Sequence, residues 1–451
     1  MIRDWIEQAA ACHGSAVYLA EARGSGTLSY AGLRAAAGEW ERRLDDAGLP
    51  PGTPIAVRHP EPVEYATALL AIVAAGRVAV PLDPGAPPAE VARVLAVAQS
   101  SERDRGDCGI FLCTSGTTGT PKGILLRDGQ LAHTAANVVS AHRLTRADRG
   151  YCSLPLFHVN AEVVGLLATL RAGAYLAVDG KFSRRGFWEM IAEQRITWIN
   201  AVPAIISILA MDPPAARPET VRFVRSASAP LPPSALERFE GAVGVPVIET
   251  YGMTEAASMI TANPLDGPRK PGSAGRPAGT EVRVETPDGA AAPGEVGRVR
   301  IRGAGVIKGY ASGGRPGVID AGGWLDTGDL GYLDSGGYLF LVGRSDDVIN
   351  RGGEKIYPRE IEEILLAQPA VRAAAVVGAA DEVLGERPVA YVVPDAGWPA
   401  GDVEALLRKA CAAELPRHKQ PSEYCLVAEL PLGSTGKISR RALKDMVTAA
   451  R

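Results

Sequence analysis

A large, mostly parallel α/β unit with a β-rich lobe, followed by a small α+β unit, is the fold that this 451-residue sequence predicts. Three observations predict it. Short apolar runs alternate with helical stretches up to about residue 249. From Glu281 the texture changes to alternating β segments separated by Gly, Pro and Asp turns. At Gly343-Arg344-Ser345-Asp346-Asp347 polar residues and a glycine interrupt two apolar runs, which marks a boundary that few contacts cross. The expected division is therefore 1–344 and 345–451.

The elements follow in order. Helices are expected near 28–48, 63–75 and 88–98, with a buried strand at Val78-Ala79-Val80-Pro81-Leu82 between the last two. Apolar runs at Gly150–Pro155, Ala174–Val178, Trp198–Val202, Phe223–Ser226 and Val245–Glu249 read as further strands of a parallel sheet. Glu281–Glu285, Gly297–Arg302 and Tyr338–Val342 read as the β lobe. Beyond the boundary come a helix near 358–367, a strand pair at Ala373–Val377 and Val389–Val393, and a helix near 401–413.

Composition narrows the function. Lys+Arg 48 against Asp+Glu 51 gives a net charge of −3, so no basic field points to nucleic acid or an anionic membrane. The N-terminus lacks a signal-peptide core, and no uncharged apolar run approaches a membrane span, so a cytoplasmic location is expected. The six cysteines are scattered without a Cys-x-x-Cys pair, which argues for reduced thiols and against a zinc site.

The most informative segment is Thr114-Ser115-Gly116-Thr117-Thr118-Gly119-Thr120-Pro121-Lys122-Gly123, which follows the apolar run Ile110–Cys113. Glycines free the backbone N–H groups, hydroxyls add donors, and Lys122 adds a point charge, a combination suited to polyphosphate oxygens. The spacing is not that of a Walker A loop. Phosphate loops in α/β sheets sit beyond the carboxyl ends of strands, and this one is expected there.

Six further segments recur along the chain: Pro155–Asn160 and Glu249–Glu255 after strands, the turn-rich loop Gly323–Asp329, Gly343–Asp347, Asn350–Ile356 and Pro431–Ile438. In this order they resemble the acyl-adenylate-forming superfamily, which includes acyl-CoA synthetases, adenylation domains of peptide synthetases and luciferases. Gly180–Ser183, Ala201–Pro203, Arg225–Ala229 and Ile349–Ile356 are most similar to the branch containing oxalate–CoA ligases.

The resemblance implies ATP, Mg²⁺ and CoA, or a carrier-protein phosphopantetheine in place of CoA, and a small carboxylic acid as substrate. It implies β- and γ-phosphate contacts from Thr114, Ser115, Gly116, Thr117, Thr118, Gly119 and Lys122. Glu255, with Thr118, would hold Mg²⁺, and Tyr251 would stack on adenine within the nucleotide-binding run Glu249, Thr250, Tyr251 and Thr254. Asp329 would accept the ribose hydroxyls, with Arg344 donating from the other side. Lys437 would bridge the attacking carboxylate and the α-phosphate. Asp346 matches a hinge, Gly352, Gly353 and Glu354 a thiol tunnel, and His158 an aromatic gate. Asn160, Trp198, Asn200, Ser226, Ser228, Met253 and Ser258 are expected to line a small acid pocket.

Two departures from the family pattern stand out. The phosphate loop begins some tens of residues early, with the shortfall between Pro84 and Asp107, which reads as loss of a peripheral element. Asn160 and Ser258 stand where the oxalate enzymes carry histidines, which removes donors able to bear positive charge and argues against oxalate. An AMP-forming ligase of a small or aromatic acid is the leading expectation. Delivery of the acyl group to an acyl carrier protein or an amine is the alternative, followed by activation of nitrite for diazotisation.

Overall fold

The computed structural model describes residues 1–101, 106–114, 122–314, 316–432 and 438–449. Its largest sheet runs in the order Arg276–Pro277, Ser258–Ala262, Val247–Met253, Phe223–Ser226, Trp198–Ala201, Arg149–Cys152, Tyr175–Val178, Val17–Glu21, Thr27–Ser29. The pairings from Val247–Met253 across to Val17–Glu21 are parallel, and the outermost ones at either side are antiparallel. The central strands are buried on both faces, which explains why they read as continuous apolar runs rather than alternating ones.

A second sheet joins Pro54–Val57, Val78–Pro81, Gly109–Thr114 and Lys122–Arg127. Its first three strands are parallel and its last pair is an antiparallel hairpin in which Thr114 faces Lys122. The described residues on either side of the glycine-rich segment are thus two antiparallel strands, not a strand and a helix as in the usual doubly wound sheet. The helix Pro62–Ala74 begins on proline, whose missing N–H costs nothing at that position, and is almost wholly buried between the layers. Helix Tyr30–Asp46 starts where the Ser29 hydroxyl accepts from Gly32 N at 3.0 Å. Helix Pro88–Ser100 leads on toward the strand Gly109–Thr114 with no described strand between them.

The β lobe is a five-stranded antiparallel sheet. Gly323–Asp329, expected as a loop, instead contributes most of its length to the strand Leu325–Leu333, paired with both Gly297–Arg302 and Leu339–Arg344. The C-terminal part begins with the 3₁₀ turn Ser345–Asp347 and packs helices Pro358–Leu366, Ala400–Glu414 and Arg440–Ala449 on a sheet dominated by the hairpin Val371–Asp381/Gly385–Pro394. Its apolar clusters start at Ile349 and are distinct from those of the preceding chain. No helix among the described residues is long and apolar enough to cross a membrane.

Candidate active site

The strand Val247–Met253 runs out of the large sheet toward the β lobe and brings Tyr251 against Asp329. The Tyr251 hydroxyl donates to Asp329 Oδ2, and Arg344 Nη1 donates to Asp329 Oδ1 at 3.0 Å and to the Thr327 carbonyl at 3.2 Å. Asp329 and Arg344 are partners across the lobe ladder, so their proximity is fixed by register. Burial, then the Asp329 charge, pushes the Tyr251 phenol well above its ordinary range. The neighbours of Tyr251 are engaged elsewhere. The Thr250 hydroxyl donates to the Ser226 carbonyl at 2.9 Å, and Glu249 turns inward, accepting from Leu231 N at 3.3 Å. Burial raises the Glu249 carboxyl to about 7, with Arg359 pulling the other way.

Beyond Tyr251 the chain makes a tight hairpin. A Cβ on Gly252 would lie 1.7 Å from the Ser258 carbonyl oxygen, so only glycine fits. Ala257 and Ser258 follow with φ of 51° and 97°, and Ser228 on the neighbouring strand end has φ 73°. Such left-handed non-glycine residues are costly and gather where a site is being shaped. Met253 and Ser258 face each other across this hairpin.

Thr254 and Glu255 lie on the 3₁₀ turn that opens the hairpin loop. Glu255 Oε1 accepts from Tyr310 Oη at 2.9 Å, and the Lys122 ammonium stands 5.2 Å from the centroid of the same Tyr310 ring. Gly123 N meets the Ser312 carbonyl at 3.0 Å, and Ile307 N donates to the Glu255 carbonyl at 2.9 Å. The strap 307–312 therefore ties the base of the glycine-rich hairpin to the acid. Ser115, Gly116, Thr117, Thr118 and Gly119 lie outside the described residues, as does the Thr114 side chain. Among the described residues no cluster of three or more His, Cys, Asp or Glu could hold a metal. Glu255 as a lone carboxylate suits Mg²⁺, which takes one or two protein acids and completes its shell with phosphate oxygens and water.

The expected acid pocket gathers around one network. Asn160 opens a π-helix, Asn160–Leu167, a distortion that recurs at functional sites. Its Oδ1 accepts from Asn200 Nδ2 at 3.2 Å and from Arg225 Nη1 at 3.0 Å, while its Nδ2 donates to Ser228 Oγ at 3.2 Å. Arg225 Nη1 also reaches Asn200 Oδ1 at 3.1 Å. Cys152, Asn200 and Arg225 align because their strands are in register. Ser226 is buried with its hydroxyl unpartnered among the described residues. Trp198 lies deeper, stacked on Phe223 with ring centroids 6.1 Å apart and closing over Gly150, so it packs core rather than opening on this network. His158 precedes the π-helix, with its ring 4.7 Å from that of Phe157. A surface cleft of about 320 Å³ beside Asn137 and Arg276 contains none of these residues.

In the C-terminal part Asp346 is exposed, and Gly352, Gly353 and Glu354 form an exposed hairpin turn with φ of 61° and 94° at the glycines. Lys437 lies outside the described residues, but its base does not: Leu432 and Ile438 form a bridge, and Ser439 N donates to the Pro431 carbonyl. Arg440 fixes that base by pairing with Asp347 at 3.4 Å and Glu362 at 2.8 Å and donating to the Val376 carbonyl.

Comparison with known proteins identifies the family. AMP-binding enzymes match residues 6–102 and 98–311, and the C-terminal domain of AMP-binding enzymes matches residues 360–437. The chain belongs to the AMP-binding enzyme family. It is similar to sulfoacetate–CoA ligase of Cupriavidus necator, 46% identical over 340 residues that span 74% of this chain and 66% of that protein. It is 36% identical to oxalate–CoA ligase of Arabidopsis thaliana over 464 residues, 89% of each. Among solved structures, o-succinylbenzoate CoA synthetase from Bacillus subtilis with its acyl-adenylate superimposes with a TM-score of 0.87 at 29% identity over 98% of both chains. ATP-bound MatB from Rhodopseudomonas palustris gives 0.88 at 27% identity over 99% of both.

Three residues of this AMP-binding enzyme carry site geometry that the sequence reading missed. Tyr310, which joins Lys122 to Glu255, left only an ordinary Gly-Tyr step in a loop. Arg440 could be noticed only as one of two arginines after Lys437. Arg225 did leave a signal, a cation inside the apolar run Phe223–Ser226, which has no place in a buried strand without a reason.

Proposed function

We propose that this AMP-binding enzyme activates a small carboxylic acid with ATP and passes the acyl group to the thiol of CoA. The observation that carries the reading is the convergence of Asp329, Tyr251 and Arg344 beside a second group, Glu255, Tyr310 and Lys122, from segments far apart in sequence. In the first half-reaction an oxygen of the acid attacks the α-phosphorus, the bond to the β-phosphate oxygen breaks, and pyrophosphate leaves with the electron pair. Tyr251 stacks on the adenine, Asp329 accepts from the ribose hydroxyls, and Arg344 donates beside it. Lys122 and its loop hold the outer phosphates, and Lys437 spans the carboxylate and the α-phosphate where charge develops. A bound Mg²⁺, held by Glu255, supplies charge neutralisation at the phosphates.

In the second half-reaction the thiol sulfur attacks the acyl carbon, the bond to AMP breaks, and the thiol proton passes to solvent. Rotation about Asp346 replaces Lys437 by the Gly352–Glu354 turn, whose bare backbone admits a pantetheine arm, while His158 clears its path. The likeness to CoA ligases of sulfoacetate and oxalate supports CoA as acceptor and a small acid as donor. The deciding experiment is pyrophosphate release from ATP and Mg²⁺ across a panel of acids, with and without CoA. A CoA-dependent rise with an acyl-CoA product is expected. Release that leaves CoA untouched would move the acceptor to a carrier-protein phosphopantetheine or an amine.

A further inference from the structure

Arg225 is a buried cation without an ion-pair partner among the described residues. It is 2% exposed, yet no carboxylate lies within ion-pair reach of it among the described residues. Nη1 is satisfied by two neutral amide oxygens, and Nε is buried without a partner among the described residues. A buried charge left in this condition is strongly unfavourable unless something else supplies the counter-charge. Its titratable neighbours supply none. His142 is fully buried and held neutral by burial and the nearby Arg225 and Arg222, which bring it down to about 3. Burial pushes the Cys152 thiol up, so it too is uncharged. Arg225 itself is drawn down by burial, to about 9, and still carries its proton at neutral pH.

The charge has a defined outlet. A guanidinium only donates, so the Asn160 atom that faces it is the amide oxygen. Asn200 Nδ2 takes the other side of that oxygen. The Asn160 amide nitrogen must then point away from Arg225, toward Ser228, which is exposed and held at φ 73°. A chain of hydrogen bonds thus runs from the uncompensated cation through the buried Asn160 amide to the exposed Ser228 hydroxyl.

We infer that Arg225 sets the acid specificity of this site: acting through the Asn160 amide, which it locks with its N–H outward, it selects an acid that bears a second anionic group, a carboxylate or a sulfonate. The inference rests on the reading of Asn160 and Ser228 as acid-binding. It reverses the expectation from sequence that a pocket without histidines offers no positive charge. The charge lies behind the Asn160 amide, 3.0 Å from its oxygen. Asn160 is the contact residue and Arg225 the positioning residue.

The test is pyrophosphate release by the full chain with oxalate, malonate and sulfoacetate against propionate and butyrate. Wild-type kcat/KM should favour the dianionic acids by about tenfold or more, a discrimination within reach of one buried charge. Arg225→Met, which keeps the volume and removes the charge, should cut that preference about tenfold, mainly through KM for the dianions. Asn160→Leu should do the same, and Asn160→Asp, whose carboxylate would pair with Arg225 and cancel its charge, should abolish the preference. Should Arg225→Met fail to fold, the wild-type panel and the Asn160 variants decide alone. Wild-type preference for the monoanionic acids, or selectivity unchanged in Arg225→Met or in Asn160→Leu, would overturn the inference while leaving the ligase reading standing. No pyrophosphate from any acid would overturn both.

Discussion

Replacing Asp329 by Asn tests the proposed ribose contact. The carboxylate now takes Tyr251 on one oxygen and Arg344 on the other, and the Asp329 side chain is 14% exposed against 45% for Arg344. An ion pair with so exposed a partner contributes about 1 kcal/mol or less to stability, so the fold should tolerate the change. Ligand binding should not. Two hydroxyls donating to a carboxylate are each worth about 1.5–3 kcal/mol. The amide keeps one acceptor, loses the charge and turns an NH₂ group toward a donor. A net loss of about 3 kcal/mol is expected, or roughly 150-fold in kcat/KM for ATP. ATP–pyrophosphate exchange at saturating acid gives the number. Deoxy-ATP analogues add a second axis: they should be poor substrates for the wild type and suffer little further loss in the variant, because the partner is already gone. A kcat/KM for ATP within threefold of wild type, or a deoxy penalty the same in both proteins, would refute the ribose role.

Three other outcomes are expected. Tyr310→Phe removes the 2.9 Å hydrogen bond to Glu255 and should raise the Mg²⁺ concentration for half-maximal exchange about fivefold, the equivalent of about 1 kcal/mol, with little change in Tm. Glu249 has its folded pKa raised to about 7 by burial, so its stabilising contribution is complete below its unfolded value near 4.5 and is lost as pH rises through about 7. Glu249→Gln should therefore melt progressively higher than wild type between pH 5 and pH 8, a gap approaching 3 kcal/mol in order of magnitude, and a gap independent of pH would contradict the assignment. Lys437→Ala should lower ATP–pyrophosphate exchange by about a hundredfold or more while sparing transfer from pre-formed acyl-AMP to CoA, which a two-step assay separates.

Much of the fold was legible because the central strands of the large sheet are buried on both faces, those of the β lobe alternate, and both are flanked by turn residues. Phe223–Ser226 and Gly297–Arg302 have the bounds expected of them, and Trp198–Ala201 differs by one residue. Leu325–Leu333 was hidden because its first half, Leu-Asp-Thr-Gly-Asp, is dense in turn formers. What makes it a strand is pairing on both sides with segments distant in sequence, and local composition does not record that. The hairpin at the glycine-rich loop was hidden for a related reason: the run Lys122–Arg127 is short and apolar, and periodicity does not reveal its direction. Site motifs were visible as strings of residue types. Connections between them were not: Tyr310 acts on Glu255 across 55 positions and Arg225 on Asn160 across 65, and a single sequence carries no trace of either contact.

The outermost strands of the large sheet have a bearing on solubility. A broad parallel sheet assembles late, since each pairing waits on a long crossover, and an open border left meanwhile invites pairing with another chain. Here one border is the two-residue Arg276–Pro277, whose proline has no N–H to offer, and the other is the three-residue Thr27–Ser29. The outer strand of the second sheet, Pro54–Val57, also begins on proline. Neither border is long enough to template growth by an incoming strand. Strand addition at the large sheet is thereby disfavoured once it is complete, and aggregation during synthesis should be most acute before these short caps are in place.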